Sequence, residues 1–158
     1  MLVLALTVAM SYTAWSLGEA FFERNRARTY TRLIKQAIAY TRISAIFTGQ
    51  EVSFCHNPQS SGCRQQGELP AVVAKSGVVL RRLPPIFPRD RLYFKISGSD
   101  RHHPVTFRPN GLLDGHSGSF FYCPNGRSRH ALAIIFNRAG RVRIASVDAQ
   151  GKKINCSP

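Results

Sequence analysis

The chain has 158 residues, 44% of them apolar, with 10 Phe and 5 Tyr. That is enough apolar material for one domain with a real core, and it excludes a disordered chain. Its 22 Lys and Arg stand against 8 Asp and Glu, a formal charge of +14, above the roughly 2–8 that solubility asks of a small domain. A field of that sign draws polyanions (nucleic acid, anionic lipid or acidic polysaccharide) and says nothing about fold.

Residues 1–17, MLVLALTVAMSYTAWSL, carry no charge. The run is slightly shorter than the roughly 20 residues that span a bilayer. It has no basic segment before it, as a signal peptide would, and it passes without a break into a helical pattern. The reading is a retained membrane helix over residues 1–18. Over residues 19–48 the pattern becomes amphipathic. Tyr30, Ile34, Ala37, Ile38, Thr41 and Ala45 form one stripe, and Arg28, Arg32, Lys35 and Arg42 another, read as a solvated face. No proline interrupts residues 1–47, so a single helix about 70 Å long is expected, in lipid first and then packed on a globular domain. Thr48-Gly49-Gln50 ends it, with Gly49 suited to a left-handed C-terminal position.

Residues 49–158 read as β-structure. Strands are expected at 51–55, 71–73, 78–82, 92–96, 105–108, 119–123 and 152–156, with turns at Pro109-Asn110-Gly111 and Pro124-Asn125-Gly126 and an irregular crossing at Pro84, Pro85 and Pro88. Residues 56–67 form a polar loop. Between 131 and 147 two strands flank Asn137-Arg138-Ala139-Gly140, which fits a three-residue hairpin loop with a left-handed glycine. Alternation along the second strand puts Arg141 and Arg143 on one face and Val142 and Ile144 on the other. From Pro124 onward there are seven basic residues, Arg127, Arg129, Arg138, Arg141, Arg143, Lys152 and Lys153, and one acid, Asp148.

The four cysteines allow three pairings and contain no C-x-x-C. The pairing of sequence neighbours, Cys55–Cys63 and Cys123–Cys156, implies an oxidising compartment; reduced, buried thiols are the alternative. A Cys123–Cys156 bond would bring Lys152 and Lys153 beside the arginine strand and pre-organise a basic patch.

Several motifs in order resemble a known family: R-x-S-A-I-x-x-G-Q-x-V-x-x-C from Arg42 to Cys55, then F-x-P-N-G at Phe107 to Gly111, then G-R-x-R at Gly140 to Arg143. Together with the helix they resemble the FimT class of minor type IV pilins, which share a domain type with the type II secretion pseudopilin GspH. The resemblance covers nearly the whole chain. It implies an α+β fold in which a long N-terminal helix, transmembrane then amphipathic, packs on an antiparallel β-sheet domain of residues 49–158. It implies a single-pass protein of the bacterial inner membrane, held through residues 1–17. Its domain would be periplasmic, and extracellular once assembled with other major and minor pilins. The basic leader, cleavage-site glycine and glutamate that begin such pilins are not in the sequence; Met1-Leu2-Val3-Leu4 looks like the continuation of that start, and the leader is expected upstream.

In the resembling class the C-terminal G-R-x-R region is implicated in binding extracellular DNA during natural transformation. This carries over to Arg141 and Arg143, with Arg138, Lys152, Lys153, Arg127 and Arg129 as supporting charge. Arginine forks grip phosphate oxygens without reading sequence. The competing reading is a solvated strand whose arginines pair with Asp148 or Asp114. At the level of the whole protein, the alternative is a structural minor pilin or pseudopilin that primes fibre assembly without DNA. A secreted polysaccharide-binding domain is a third reading, predicting a mature N-terminus after about residue 20.

Enzymatic chemistry finds no support in the sequence. Ser60, Ser61, Ser117 and Ser119 lie in no G-x-S-x-G, the acids form no pair, and no phosphate-cradling loop is present. His102, His103 and His116 with Cys63 match no zinc spacing. No metal, cofactor or small-molecule substrate is expected. Phe120, Phe121 and Tyr122 are of a type that could stack on single-stranded bases, but three consecutive strand residues face both sides, so at least one is core; Tyr93 and Phe94 are read as core.

Overall fold

A computed structural model of the chain describes residues 2–56, 63, 70–96 and 103–156, with side chains from residue 18 onward. Helix α1 (Leu2–Thr48) is continuous, as the absence of proline requires. The expected membrane segment coincides with its first third, where the side chains of residues 1–17 lie outside the described set. Among the described residues no helix is long and apolar enough to cross a membrane. Farther along, the apolar stripe is buried as expected, from Tyr30 through Ile34, Ala37, Ile38 and Thr41 to Ala45. The hydroxyls of Thr31 and Thr41 donate to the carbonyls of Ala27 and Ala37, each at 2.7 Å, which lets a threonine sit in an apolar stripe without an orphaned donor. Gly49 follows Thr48 at φ +64° and stops the helix.

Eight strands follow: β1 (Val52–Cys55), β2 (Ala71–Ala74), β3 (Val79–Arg82), β4 (Arg91–Ile96), β5 (Val105–Phe107), β6 (Gly118–Cys123), β7 (Leu132–Phe136) and β8 (Val142–Ala145). They form two antiparallel four-stranded sheets. Sheet A has the order β3-β2-β1-β5 and sheet B the order β4-β6-β7-β8. The expected final strand over 152–156 shrinks to one bridge, Val147 to Lys153. The tail turns tightly at Asp148, whose N–H donates to the Lys152 carbonyl at 2.8 Å. Most of the expected 56–67 loop, with Ser60 and Ser61, lies outside the described residues, as does His102.

The core fills the space between α1 and the facing sides of both sheets. Ile34 and Ile38 meet Val52, Phe54 and Phe107 of sheet A and Phe120, Ile134 and Phe136 of sheet B. Each disulfide staples a small cluster on the outer face of its own sheet: Cys55–Cys63 with Ala71 and Val73, and Cys123–Cys156 with Phe121, Ala133 and Ile154. The neighbour pairing read from the sequence is the one present.

One buried polar network ties α1 to the end of sheet B. Asp90, 4% exposed, accepts from the Tyr122 hydroxyl and from Asn125 N–H at 2.8 Å, and its carboxylate lies 3.9 Å from the Arg26 guanidinium. Asn125 in turn donates to Glu23 on the helix. The Tyr30 ring stacks on Tyr122 with centroids 5.1 Å apart, and its hydroxyl donates to the Pro84 carbonyl at 3.1 Å. Burial pushes the Tyr30 phenol up to about 12. Burial, then the Asp90 carboxylate, pushes that of Tyr122 upward as well.

Candidate nucleic-acid interface

The β7–β8 hairpin closes as the sequence implies. Phe136 stands opposite Val142. Asn137 N–H donates to the Arg141 carbonyl at 3.1 Å, and Gly140 N–H donates to the Asn137 carbonyl at 2.9 Å. The Asn137 side chain accepts from Arg141 N–H at 2.9 Å. Gly140 has φ +74°, a left-handed position that a side chain would strain. On β8 the residues alternate: Val142 and Ile144 pack against the core, while Arg141 and Arg143 are exposed. Two residues apart on a strand, their Cα atoms are about 6.8 Å apart, close to the separation of neighbouring phosphates on one nucleic-acid strand. Arg138 occupies the tip, and its carbonyl accepts from Leu113 N–H at 3.0 Å, so the tip is anchored.

The acids that could have neutralised this face are engaged elsewhere. Asp114 pairs with Arg108. The Asp148 carboxylate accepts from Gln150 N–H at 2.9 Å and Lys152 N–H at 2.7 Å. Among the described residues no carboxylate pairs with Arg138, Arg141 or Arg143. Register adds a cation that the sequence reading missed. Lys95, Ser119, Ile135 and Arg143 form one row across sheet B, which places exposed Lys95 on the same outer face as Arg143, about 14 Å away. Strand alternation was visible in sequence, but the pairing that aligns β4 with β8 was not.

Arg42 does not belong to the solvated stripe in which the helical pattern places it. A Cβ on Gly140 would lie 2.9 Å from Arg42 Cδ and 3.0 Å from Phe107 Cε1, and one on Gly111 would lie 2.8 Å from Ile46 Cδ1 and 3.3 Å from Arg42 Nε. The residues shared by the sequence motifs (Arg42, Ile46, Phe107, Gly111 and Gly140) are thus one packing unit. The glycine of G-R-x-R makes room for an arginine stem from the helix, and only the two arginines after it are free to face a partner.

Of the expected supporting cations Arg138 sits on the hairpin, and the others do not gather round it. Arg127 and Arg129 follow the 3-10 turn Pro124–Gly126, whose Asn125 donates to Glu23 of the helix. Lys153 pairs opposite Val147, roughly 13 Å along the strand from Arg143. There Lys153 lines a cleft with Arg24, Arg28 and His130. The tail is tethered where Cys156 predicts, but to the end of sheet B opposite the hairpin. Arg24 and Arg28 carry a legible signal, a spacing of four on one helix face; what they face is a matter of tertiary structure. The aromatic run is unavailable for stacking, since Phe120, Phe121 and Tyr122 are all buried, at 0%, 9% and 0% exposure. Tyr93 and Phe94 pack against the outer and inner clusters respectively. Cys63 is in its disulfide, while His103 and His116 line a separate cavity of about 470 Å³ at the β4–β5 edge.

Comparison with known proteins places this geometry. Over 79% of the chain and 92% of the compared chain, the fold is similar to a crystal structure of the type IV minor pilin FimU of Pseudomonas aeruginosa, with a TM-score of 0.56 at 20% identity. A second crystal form of FimU gives 0.53 at 19% identity, covering 75% of this chain and 91% of that one. No curated protein matches the chain. The two-sheet domain under a long helix is therefore a pilin fold. The family model of the type II transport protein GspH matches residues 31–140, well over half of the sequence and including every motif cluster except the arginines after Gly140, and the chain belongs to that GspH family of minor pilins and pseudopilins.

Proposed function

We propose that this pilin subunit binds extracellular DNA, without sequence preference, through the phosphate contacts of Arg141 and Arg143, and so aids DNA uptake in natural transformation. The observation that carries the reading is the pair of exposed guanidiniums at the start of β8, Arg141 just before the strand and Arg143 on it, with no carboxylate partner among the described residues. Arg138 at the tip and Lys95 across the sheet extend the same field. In this reading residues 1–17 hold the subunit in the inner membrane, the domain is periplasmic, and assembly with other pilins carries it outside. Contacts of this kind release counterions, so affinity is modest, roughly 10⁻⁴–10⁻⁶ M, and falls steeply with salt. Gel retardation of a duplex by the full chain in neutral detergent, repeated across a salt series, tests it. Arg141→Gln with Arg143→Gln is expected to lower affinity about tenfold or more and to flatten the log–log salt slope by about 2. Retention equal to that of the unaltered chain rejects the reading.

A second reading, a purely structural minor pilin, draws on the helix. Phe21, Phe22, Ile43 and Phe47 of α1 are exposed, Phe47 at 91%, an apolar surface suited to neighbouring subunits. The two are separated by loss of the gene: transformation lost with pili still visible favours DNA binding, whereas pili lost as well favours the structural role.

A further inference from the structure

We infer that the cleft between α1 and the C-terminal tail binds the phosphate of an anionic phospholipid headgroup. The cleft is about 260 Å³ and is lined by Arg24 and Arg28 from the helix, Ser128 and His130 from the segment before β7, and Lys153 and Ile154 from the tail. Among the described residues no carboxylate lines it. His130 lines the cleft, its Nε2 is buried without a hydrogen-bond partner among the described residues, and the residue sits at φ +64°, in the left-handed region where histidine is one of the few side chains enriched. A buried imidazole nitrogen left unpaired is costly, and the three cations Arg24, Arg28 and Lys153 line the cleft beside the residue that carries it. The walls are fixed in place. Cys156 N–H donates to the Ser128 hydroxyl at 3.1 Å, and the Cys123–Cys156 bond holds the tail. Two arginine forks offer bidentate contact with phosphate oxygens, with Lys153 as a third charge.

Location selects the source of that phosphate. Arg24 and Arg28 lie seven and eleven residues beyond Leu17, the last residue of the uncharged run, roughly 10 and 16 Å along a helix. The headgroup zone is about 5–8 Å thick on each side of the hydrocarbon. Helical side chains tilt toward the N-terminus, and long basic ones reach farther in that direction, so both guanidiniums extend back toward the zone. A cleft of this volume admits one phosphate headgroup. The inference goes beyond DNA binding and does not need it; it rests on residues 1–17 entering the bilayer. A headgroup held here fixes the height and rotation of the domain on the membrane until the subunit leaves for the fibre.

The test uses the full chain in neutral detergent with ¹⁵N-labelled histidine, following the His130 ring resonances by NMR. Three probes are added separately: a short-chain phosphatidylglycerol, inorganic phosphate and a short DNA duplex. Phosphatidylglycerol is expected to give a saturable shift at His130. Arg24→Gln with Arg28→Gln is expected to weaken it about tenfold or more, whereas Arg32→Gln with Lys35→Gln, which alters exposed cations outside the cleft, leaves it unchanged. Both pairs change exposed residues, and an unaltered His130 spectrum before titration verifies the fold. No saturable shift with phosphatidylglycerol overturns the inference, as does a shift that both variant pairs weaken alike. An equal response to inorganic phosphate overturns the lipid source, and a response to duplex alone assigns the cleft to nucleic acid instead. Loss of DNA retention in Arg141→Gln with Arg143→Gln, with this response intact, keeps the two sites separate.

Discussion

At the hairpin end of sheet B, Arg141 and Arg143 stand out from a closely packed turn with their guanidiniums in solvent. At the other end Arg24, Arg28 and Lys153 line a cleft with the half-buried imidazole of His130, whose Nε2 is unpaired among the described residues. Measured along α1 the two ends are about 27 Å apart, the length of eighteen helical residues from Arg24 to Arg42. Both are strongly basic, yet they offer different things. The first is a flat, open pair of charges, suited to a long polyanion that need not be recognised in detail. The second is concave and incompletely satisfied, suited to one small anion. Net charge does not separate such cases; the shape of the surface and the state of the neighbouring polar groups do.

Breaking the tether is the strongest way to separate the two ends. Replacing Cys123 and Cys156 with Ser opens a link between residues 33 apart, which by loop-closure entropy costs about 4 kcal/mol. Denaturant midpoints should report that loss, and the His130 resonances should disperse, while DNA retention in the folded fraction persists. If DNA retention also fails, the two ends act as one surface.

Gly140→Ala attacks the hairpin end from beneath. The new methyl would sit at φ +74° and meet Arg42 and Phe107 at about 3 Å, for an expected loss of about 2 kcal/mol in thermal or chemical unfolding. A neutral result would mean that Arg42 swings clear and does not brace the turn.

Alkaline titration probes the helix end through Tyr30 and Tyr122. Both phenols have their pKa raised in the fold from 10.0, that of Tyr30 to about 12. The unfolded chain therefore gives up these protons first. The stability they contribute is complete below pH 10 and is lost as the pH rises through the folded values. Unfolding midpoints should fall above pH 10, and Tyr30→Phe, which keeps the ring stack and removes one phenol, should soften that fall. An identical decline in Tyr30→Phe would exclude Tyr30 as its source. The smallest effect on stability belongs to Arg141→Gln with Arg143→Gln, within about 0.5 kcal/mol, because neither side chain is packed. A larger loss would show that these arginines support the sheet.

Much of the fold could be read from local rules. The helix follows from an uninterrupted apolar period and a terminating glycine, the hairpin from Asn137 and Gly140, and the disulfides from the spacing of four cysteines. What could not be read depends on contacts between segments distant in the chain. Arg42 fits a solvated stripe by helical spacing alone. Only the arrival of Gly111 and Gly140, some 70 and 98 residues later, turns it into a brace. The Cys123–Cys156 bond ties the tail to sheet B as the cysteine spacing implies, but away from the arginines and not beside them, because the direction in which β6 runs from Gly118 to Cys123 decides at which end its last residue lies. His130 carried no sequence signal, since its meaning comes from an unpaired atom and a backbone conformation.

The bond between Cys123 and Cys156 also makes the layout of charge depend on oxidation. With those thiols reduced, the last residues lose their covalent hold on sheet B, Lys153 is no longer fixed opposite Arg24 and Arg28, and the concave cluster becomes a loose collection of cations. The open pair on β8 needs no such bond. A single chain therefore carries one cationic surface that exists as soon as it folds and a second that is completed only where the disulfide forms, so that the redox state of its surroundings sets whether one such surface or two are present.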